Sequence, residues 1–312
     1  MRRYLPFLLI ATLPLSACHS SNSLPPNAPL TRAMTVAALN SGGAVSTYPA
    51  TSNGAVAATT DLTGGNTTLS SNALGMAYDG SGNVWVANFA TPDVLEFAGS
   101  ATGNVAPTNT ISGVNTTFVE PGGIFVSSSG KIYVADYSAD AIDVFSSGAT
   151  GNVAPAVRIT GVATGLNGPG GIAADGNGDI WVDNYTGNSI EEFSSSATGN
   201  ASPTVTISGG ATTLSEPWEL TRDHAGNIWV ANHANNTLLE FAATATGNVA
   251  PKNTIDQTGA TSVAVDGKGY VYAADGVNAD VYVYAPGATG SATPVQTISN
   301  ADIGTPWAIA IR

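Results

Sequence analysis

The sequence predicts an all-β fold, a six-bladed β-propeller of four-stranded antiparallel blades whose ring is closed by N- and C-terminal strands sharing one blade. Three observations predict it. The heptapeptide "ATGNVAP" at 101–107 returns at 149–155 and 245–251, as "ATGNASP" at 197–203 and as "ATGSATP" at 288–294. Strings of one type, "NVWVAN" (83–88), "KIYVAD" (131–136), "DIWVDN" (179–184), "NIWVAN" (227–232) and "YVYAAD" (270–275), step by the same 48, 48, 48 and 43 residues, so a whole unit repeats. Each unit divides into four short runs rich in β-formers, parted by Gly, Asn, Asp and Pro, with no helical period competing.

The second unit displays its runs clearly as "GGIFVS" (122–127), "KIYVAD", "AIDVFS" (141–146) and "APAVRIT" (154–160). First strands fall at "LGMAYD" (74–79), "GGIFVS", "GGIAAD" (170–175), "WELTRD" (218–223), "TSVAVD" (261–266) and, at the very end, "WAIAIR" (307–312). That last strand has nothing after it to pair with. The N-terminal stretch "STYPATSNGAVAATTDL" supplies the missing partners, because its steps from Tyr48 to Val56 to Leu62 repeat those from Phe241 to Val249 to Ile255. The two ends therefore complete a sixth blade, and a closed ring hides the sheet edges that invite aggregation. Pro107, Pro155, Pro203, Pro251 and Pro294 enter the outermost strands, where a missing N–H costs nothing. The heptapeptide lies between third and fourth strands, on the same face as the turns "DGSGN" (79–83), "DGNGD" (175–179) and "DGKGY" (266–270), and reads as turn chemistry repeated with the turn. Trp85, Tyr133, Trp181, Trp229 and Tyr272 share one repeat position and Phe97, Phe145, Phe193, Phe241 and Tyr284 another, both expected to wedge between blades.

With 312 residues, 43% hydrophobic and 10% charged, the chain buries a large core. A net charge of −13 with only nine Lys and Arg gives no basic stripe for a phosphate backbone, so nucleic acid is excluded as a partner. The opening "MRRYLPFLLIATLPLSACHS" places Arg2 and Arg3 before an apolar run too short to span a bilayer, as in a secretory signal. Its "LSAC" at 15–18 resembles the lipobox of bacterial lipoproteins, which implies a signal peptide over 1–17, a lipidated Cys18 as membrane anchor, and a flexible tether over 18–32 ahead of a propeller over 33–312. By the lipoprotein sorting pattern, His19 in place of Asp implies the outer membrane in a Gram-negative host, periplasmic or surface-facing. No other cysteine exists, so no disulfide supports the fold. A monomer is expected.

The units resemble NHL repeats, with "GKIYVADYSADAIDVF" (130–145) the best match and the resemblance covering about residues 33–312. They are also close in pattern to the gluconolactonase-like and streptogramin-lyase-like propellers. The resemblance implies a ligand site on the face carrying the loops that enter first strands and leave second strands, since the fold by itself hosts many functions. Entering loops bring Glu120, Glu216, Trp218 and Trp307 to that face. Leaving loops bring Phe89, Tyr137, Tyr185 and His233 at one equivalent position, behind Asn88, Asp136, Asn184 and Asn232. The candidate ligand-binding set is Glu120, Asp136, Tyr137, Asn184, Tyr185, Glu216, Trp218, Asn232, His233 and Trp307, an aromatic and amide-rich mouth suited to a glycan, a peptide or an envelope protein. The Asn or Asp closing each second strand has a competing role, bonding the following turn. Two breaks in the repeat stand out: Glu219 and Arg222 replace small or apolar residues, and the loop entering the fifth blade is five residues shorter, leaving a notch.

Chemistry motifs are sparse, with no G-x-S-x-G, no H-E-x-x-H and no Cys pair. "DGNGD" sets Asp175, Asn177 and Asp179 at calcium-loop spacing, but position twelve is Thr186 rather than Glu. The reading is therefore a membrane-anchored cell-envelope binding or interaction module needing no cofactor, no metal and no catalytic residue. The alternative is a metal-dependent hydrolase or lyase of the gluconolactonase-like or streptogramin-lyase-like type. Glu216, Asn184, Asn232 and Asp136 would then hold a divalent ion, or His233 would pair with Glu120 or Glu216.

Overall fold

The computed structural model describes residues 35–300 and 302–312. The signal, Cys18 and the tether lie outside them. Six four-stranded antiparallel blades form a ring, the first five ordered from the axis outward in chain order. Blade 1 comprises Ala73–Tyr78, Val84–Asn88, Asp93–Phe97 and Asn109–Ser112; blade 2 Pro121–Val126, Ile132–Asp136, Ala141–Phe145 and Val157–Thr160; blade 3 Pro169–Ala174, Ile180–Asn184, Ser189–Phe193 and Val205–Ser208. Blade 4 comprises Pro217–Arg222, Ile228–Asn232, Thr237–Phe241 and Asn253–Asp256, and blade 5 Ala260–Val265, Val271–Asp275, Asp280–Tyr284 and Gln296–Ser299, to which Gly54–Ala55 adds a short parallel edge. Blade 6 is assembled from both ends, with Pro306–Ile311 innermost and antiparallel to Thr35–Asn40, then Ala44–Pro49 and Thr60–Leu62. Inner strands touch those of both neighbouring blades, and the circuit closes from Pro306–Ile311 back to Ala73–Tyr78.

The buried apolar side chains fall into six clusters, one between each pair of adjacent blades. Trp85 and Phe145 share the cluster between blades 1 and 2, Tyr133 and Phe193 that between 2 and 3, Trp181 and Phe241 that between 3 and 4. Trp229 with Tyr284, and Tyr272 with Tyr48, continue the series. Second-strand aromatics thus reach forward to the next blade and third-strand aromatics back to the previous one. Alternating side-chain direction on a strand makes both reaches available to one repeat. Truncating such a wedge to Ala costs about 3–5 kcal/mol.

The heptapeptide does more than turn the chain. Its glycine, at positive φ, pairs with the outer strand of the preceding blade: Gly103, Gly151, Gly199, Gly247 and Gly290 bridge to Leu62, Ile111, Ile159, Ile207 and Ile255. The next residue completes the latch. Asn104, Asn152, Asn200 and Asn248 accept backbone N–H bonds from Asn66, Asn115, Ala163 and Ala211 of the preceding blade at 2.6–2.8 Å. In "ATGSATP", Ser291 instead donates to Asp256 at 2.6 Å. Each proline sits two residues before the outer strand, outside the ladder. Asp79, Asp175 and Asp266 each accept two backbone N–H bonds of their own first hairpin turn, so these loops are Asx turns. Asp175 additionally faces Arg222 at 3.5 Å.

Candidate functional site

Every inner strand starts with a register shift against its second strand. A bulge bends the strand and re-aims one side chain. In blades 4 and 6 the residues at that bulge are Trp218 and Trp307, and in blade 5 the small Thr261. The next residue inward forms a second ring around the axis: Gly75, Gly123, Gly171, Glu219, Ser262 and Ala308.

These two rings enclose a cavity of about 300 Å³ at the mouth. Its wall is an arc of half-buried aromatics. Phe89, Tyr137 and Tyr185 follow one another at 5.9 and 6.1 Å, and Tyr185 meets Trp218 edge-on at 5.3 Å. Trp218 and Trp307 stack at 5.3 Å and 14°, closing over the gap that Thr261 and Gly276 leave in blade 5. His233 lies against Trp218 at 5.3 Å on the rim. Its Nδ1 is 3.1 Å from the Ala260 carbonyl, which can only accept, so that nitrogen carries the proton.

Tyr137, Tyr185, Trp218 and Trp307 of the sequence-derived set line the cavity. Glu216 and His233 touch its lining rings, at Tyr185 and Trp218, while the Glu120 side chain meets Ser138 instead. Glu216 accepts from the Tyr185 hydroxyl at 3.0 Å, and burial followed by that bond pushes the Tyr185 phenol up to about 12. Glu216 is also in the left-handed region, φ 50°, where the equivalent residues of blades 3 and 5 are Gly168 and Gly259. Glu120 accepts a hydrogen bond from Ser138.

Asp136, Asn184 and Asn232 are not brought to the cavity. They are fully buried behind it, with their polar atoms spent on the entering loops. Asp136 accepts from the Val119 and Glu120 backbone, Asn184 accepts from Asn167 and donates to Gly165, and Asn232 accepts from Ser215 and donates to Thr213. Among the described residues no group of three His, Cys, Asp or Glu gathers in a metal-holding arrangement.

The floor of the cavity carries what the sequence set omitted. Glu219 lines it while only 8% exposed, and its Oε2 has no hydrogen-bond partner. Ser262 donates to the Glu219 carboxyl while its own oxygen accepts the Ile309 N–H at 3.0 Å. Asp183, fully buried, accepts from Gly171 N–H at 3.1 Å with Oδ1 and leaves Oδ2 unpartnered. Burial raises both acids well above the ordinary carboxylate range, and the Asp183 charge raises Glu219 further. The signal for Asp183 was in the repeat, since the same position holds Ala87, Ala135, Ala231 and Ala274.

No family profile matches the chain. No curated protein matches it in sequence either. Solved structures match its shape. It is similar to a chain of the nidogen–laminin complex at a TM-score of 0.62 and 16% identity, covering 88% of this chain and 96% of that one. It is also similar to a 6-phosphogluconolactonase-like protein from Bacteroides uniformis, at TM-score 0.55 and 15% identity over 85% and 82%. A streptogramin B lyase aligns at TM-score 0.48 and 15% identity, over 68% of this chain and 65% of the lyase's own length. Identities this low show the propeller fold alone.

Proposed function

We propose that the protein is an exported binding module built on NHL-type repeats, anchored through a lipidated Cys18 at the outer membrane and holding a small ligand in the aromatic mouth of the ring. One observation carries the reading: Trp218 and Trp307, which among the described residues are the bulge positions bearing ringed side chains, converge with Tyr137 and Tyr185 on one concave, largely apolar cavity. Wedge aromatics are explained by packing between blades. The mouth aromatics stay half-buried, and rings in a concave site supply binding area at low conformational cost. The metal-dependent alternative draws less support, because three of its four donors, Asp136, Asn184 and Asn232, are occupied by loop backbone.

The test profiles the mature protein and a Trp218→Ala/Trp307→Ala variant on glycan and peptide arrays and in a small-molecule thermal-shift panel. Binding that the double variant loses supports the reading. Binding that survives it unchanged places the site elsewhere.

A further inference from the structure

The cavity floor sorts ligands by charge, an inference that rests on the mouth being a ligand site. Glu219 is the only ionisable side chain other than the two tyrosines among the cavity's lining residues, and none of them is Lys, Arg or His. Its carboxyl is more than nine-tenths buried, receives one bond from Ser262 and keeps Oε2 open. A buried polar atom without a partner is costly, so its retention at the floor of a cavity calls for a group that fills it.

A second carboxyl stands directly behind. A Cβ placed on Gly171, in the cavity wall, would lie 2.6 Å from Glu219 Cα and 2.7 Å from Asp183 Oδ2, so glycine is what lets the two acidic residues crowd one point. Asp183 Oδ2 is itself unpartnered. Two acids with open oxygens and no cation beside them stand at the closed end of an apolar box, where burial opposes their ionisation until a cation arrives to pair with it. The faces of indole and phenol rings carry negative charge of their own and attract cations within about 6 Å.

A polyol would need many donors and acceptors along the wall, yet the wall here is Leu74, glycine and aromatic rings apart from Asn72 and Glu219. A bare metal ion would need more oxygen ligands than two carboxyls provide. We propose that the cavity takes a small protonated amine with an apolar or aromatic body, its ammonium N–H donating to Glu219 Oε2 and its body lying against Trp218, Trp307, Tyr137 and Tyr185. Asp183 acts behind Glu219 as a positioning residue whose carboxyl adds to the pull on the ammonium once the cation is in place. The Trp307 indole N–H, also buried without a partner, suits an acceptor oxygen elsewhere on the same molecule.

The experiment is isothermal titration calorimetry on the mature chain with three probes of one shape: phenethylamine, neutral 2-phenylethanol and anionic 3-phenylpropionate, with calcium chloride as a fourth. Phenethylamine is expected to bind at least tenfold more tightly than 2-phenylethanol, and 3-phenylpropionate more weakly still. Glu219→Gln, which keeps shape and volume, is expected to bring the amine-to-alcohol ratio to about one, and Asp183→Asn to reduce it several-fold, with the circular dichroism of both variants unchanged. Equal binding of amine and alcohol, a ratio untouched by Glu219→Gln, no binding of any probe, or calcium competing with the amine overturns the inference. Equal binding that Trp218→Ala/Trp307→Ala abolishes overturns the amine preference while leaving the mouth as the ligand site.

Discussion

Blades 1 to 3 and blades 4 to 6 are written in the same repeat, yet they line the axis in opposite ways. The first three contribute Gly75, Gly123 and Gly171, and the last three Glu219, Ser262 and Ala308. A Cβ on Gly75 would come 2.2 Å from the Gly122 carbonyl oxygen, on Gly123 2.1 Å from that of Gly170, and on Gly171 2.3 Å from the Leu220 nitrogen. These contacts are backbone, which cannot swing aside. The glycine half of the ring is therefore a close approach of inner strands, and the other half is where the ring accommodates side chains. Chemistry gathers at the junction, with Glu219 from the first open blade meeting Asp183 of the last tight one.

The largest effects should come from forcing one half to behave like the other. Gly123→Ala must displace the neighbouring strand, a loss of about 3 kcal/mol in urea unfolding. The reverse exchange, Ala308→Gly, removes no contact of that kind and costs about 1 kcal/mol through backbone entropy. If both substitutions cost the same, the division of the ring is wrong. Next in size is the contrast between adjacent acids and amides of the second strands. Asn232→Ala orphans the Ser215 N–H, while the Thr213 carbonyl keeps its bond from Asn235, and should cost about 1–3 kcal/mol. Asp183→Asn, one residue earlier on the second strand of the neighbouring blade, removes a buried acid whose ionisation burial opposes and should be neutral or stabilising.

The fold was legible because a propeller repeats its physics with its letters. Turn aspartates, wedge aromatics and the latch glycine each recur at fixed spacing, and the blade shared by the termini followed from counting first strands. The aromatic arc was legible too, since Phe89, Tyr137, Tyr185 and His233 occupy one position in the register. What the register concealed was direction. Asp136, Asn184 and Asn232 sit beside those aromatics in sequence but turn into the entering loops, because each is the last residue of its strand and the aromatic after it already belongs to the turn. The bulge in each inner strand breaks the alternation of side chains along a strand, so whether Trp218 or Glu219 reaches the cavity could not be read from spacing; both do. Asp183 was visible only as a departure from alanine, and its meaning depends on a neighbouring blade.

A smaller effect tests the floor through pH. Asp183 and Glu219 are both raised by burial, so the folded chain binds more protons than the unfolded one above the ordinary carboxylate range. Stability contributed by these groups is full at low pH and is lost as pH rises past about 4. Glu219→Gln removes one of the two groups. Its unfolding free energy should match the parent at pH 4.5 and exceed it at pH 8 by about 1–2 kcal/mol. A parent that is equally stable at both values, or a variant that tracks it in parallel, would place Glu219 in a more solvated setting than the structure does.

The smallest expected change in stability comes from a strained residue at the rim. Glu216 holds φ 50° where blades 3 and 5 use glycine, and left-handed backbone costs a residue with a Cβ about 1 kcal/mol. Glu216→Gly relieves that strain, but it adds glycine's freedom to the unfolded chain and deletes the bond from the Tyr185 hydroxyl. These contributions oppose one another, and the net should lie within about 0.5 kcal/mol of zero. The phenol reports what stability hides. With the carboxylate gone, burial and the neighbouring Tyr137 alone hold Tyr185 above its ordinary value, and a difference ultraviolet titration of variant against parent should show one tyrosine ionising below about 12. An unchanged titration would mean that the hydroxyl keeps no bond to Glu216, and that the strain at φ 50° serves some other contact of the rim.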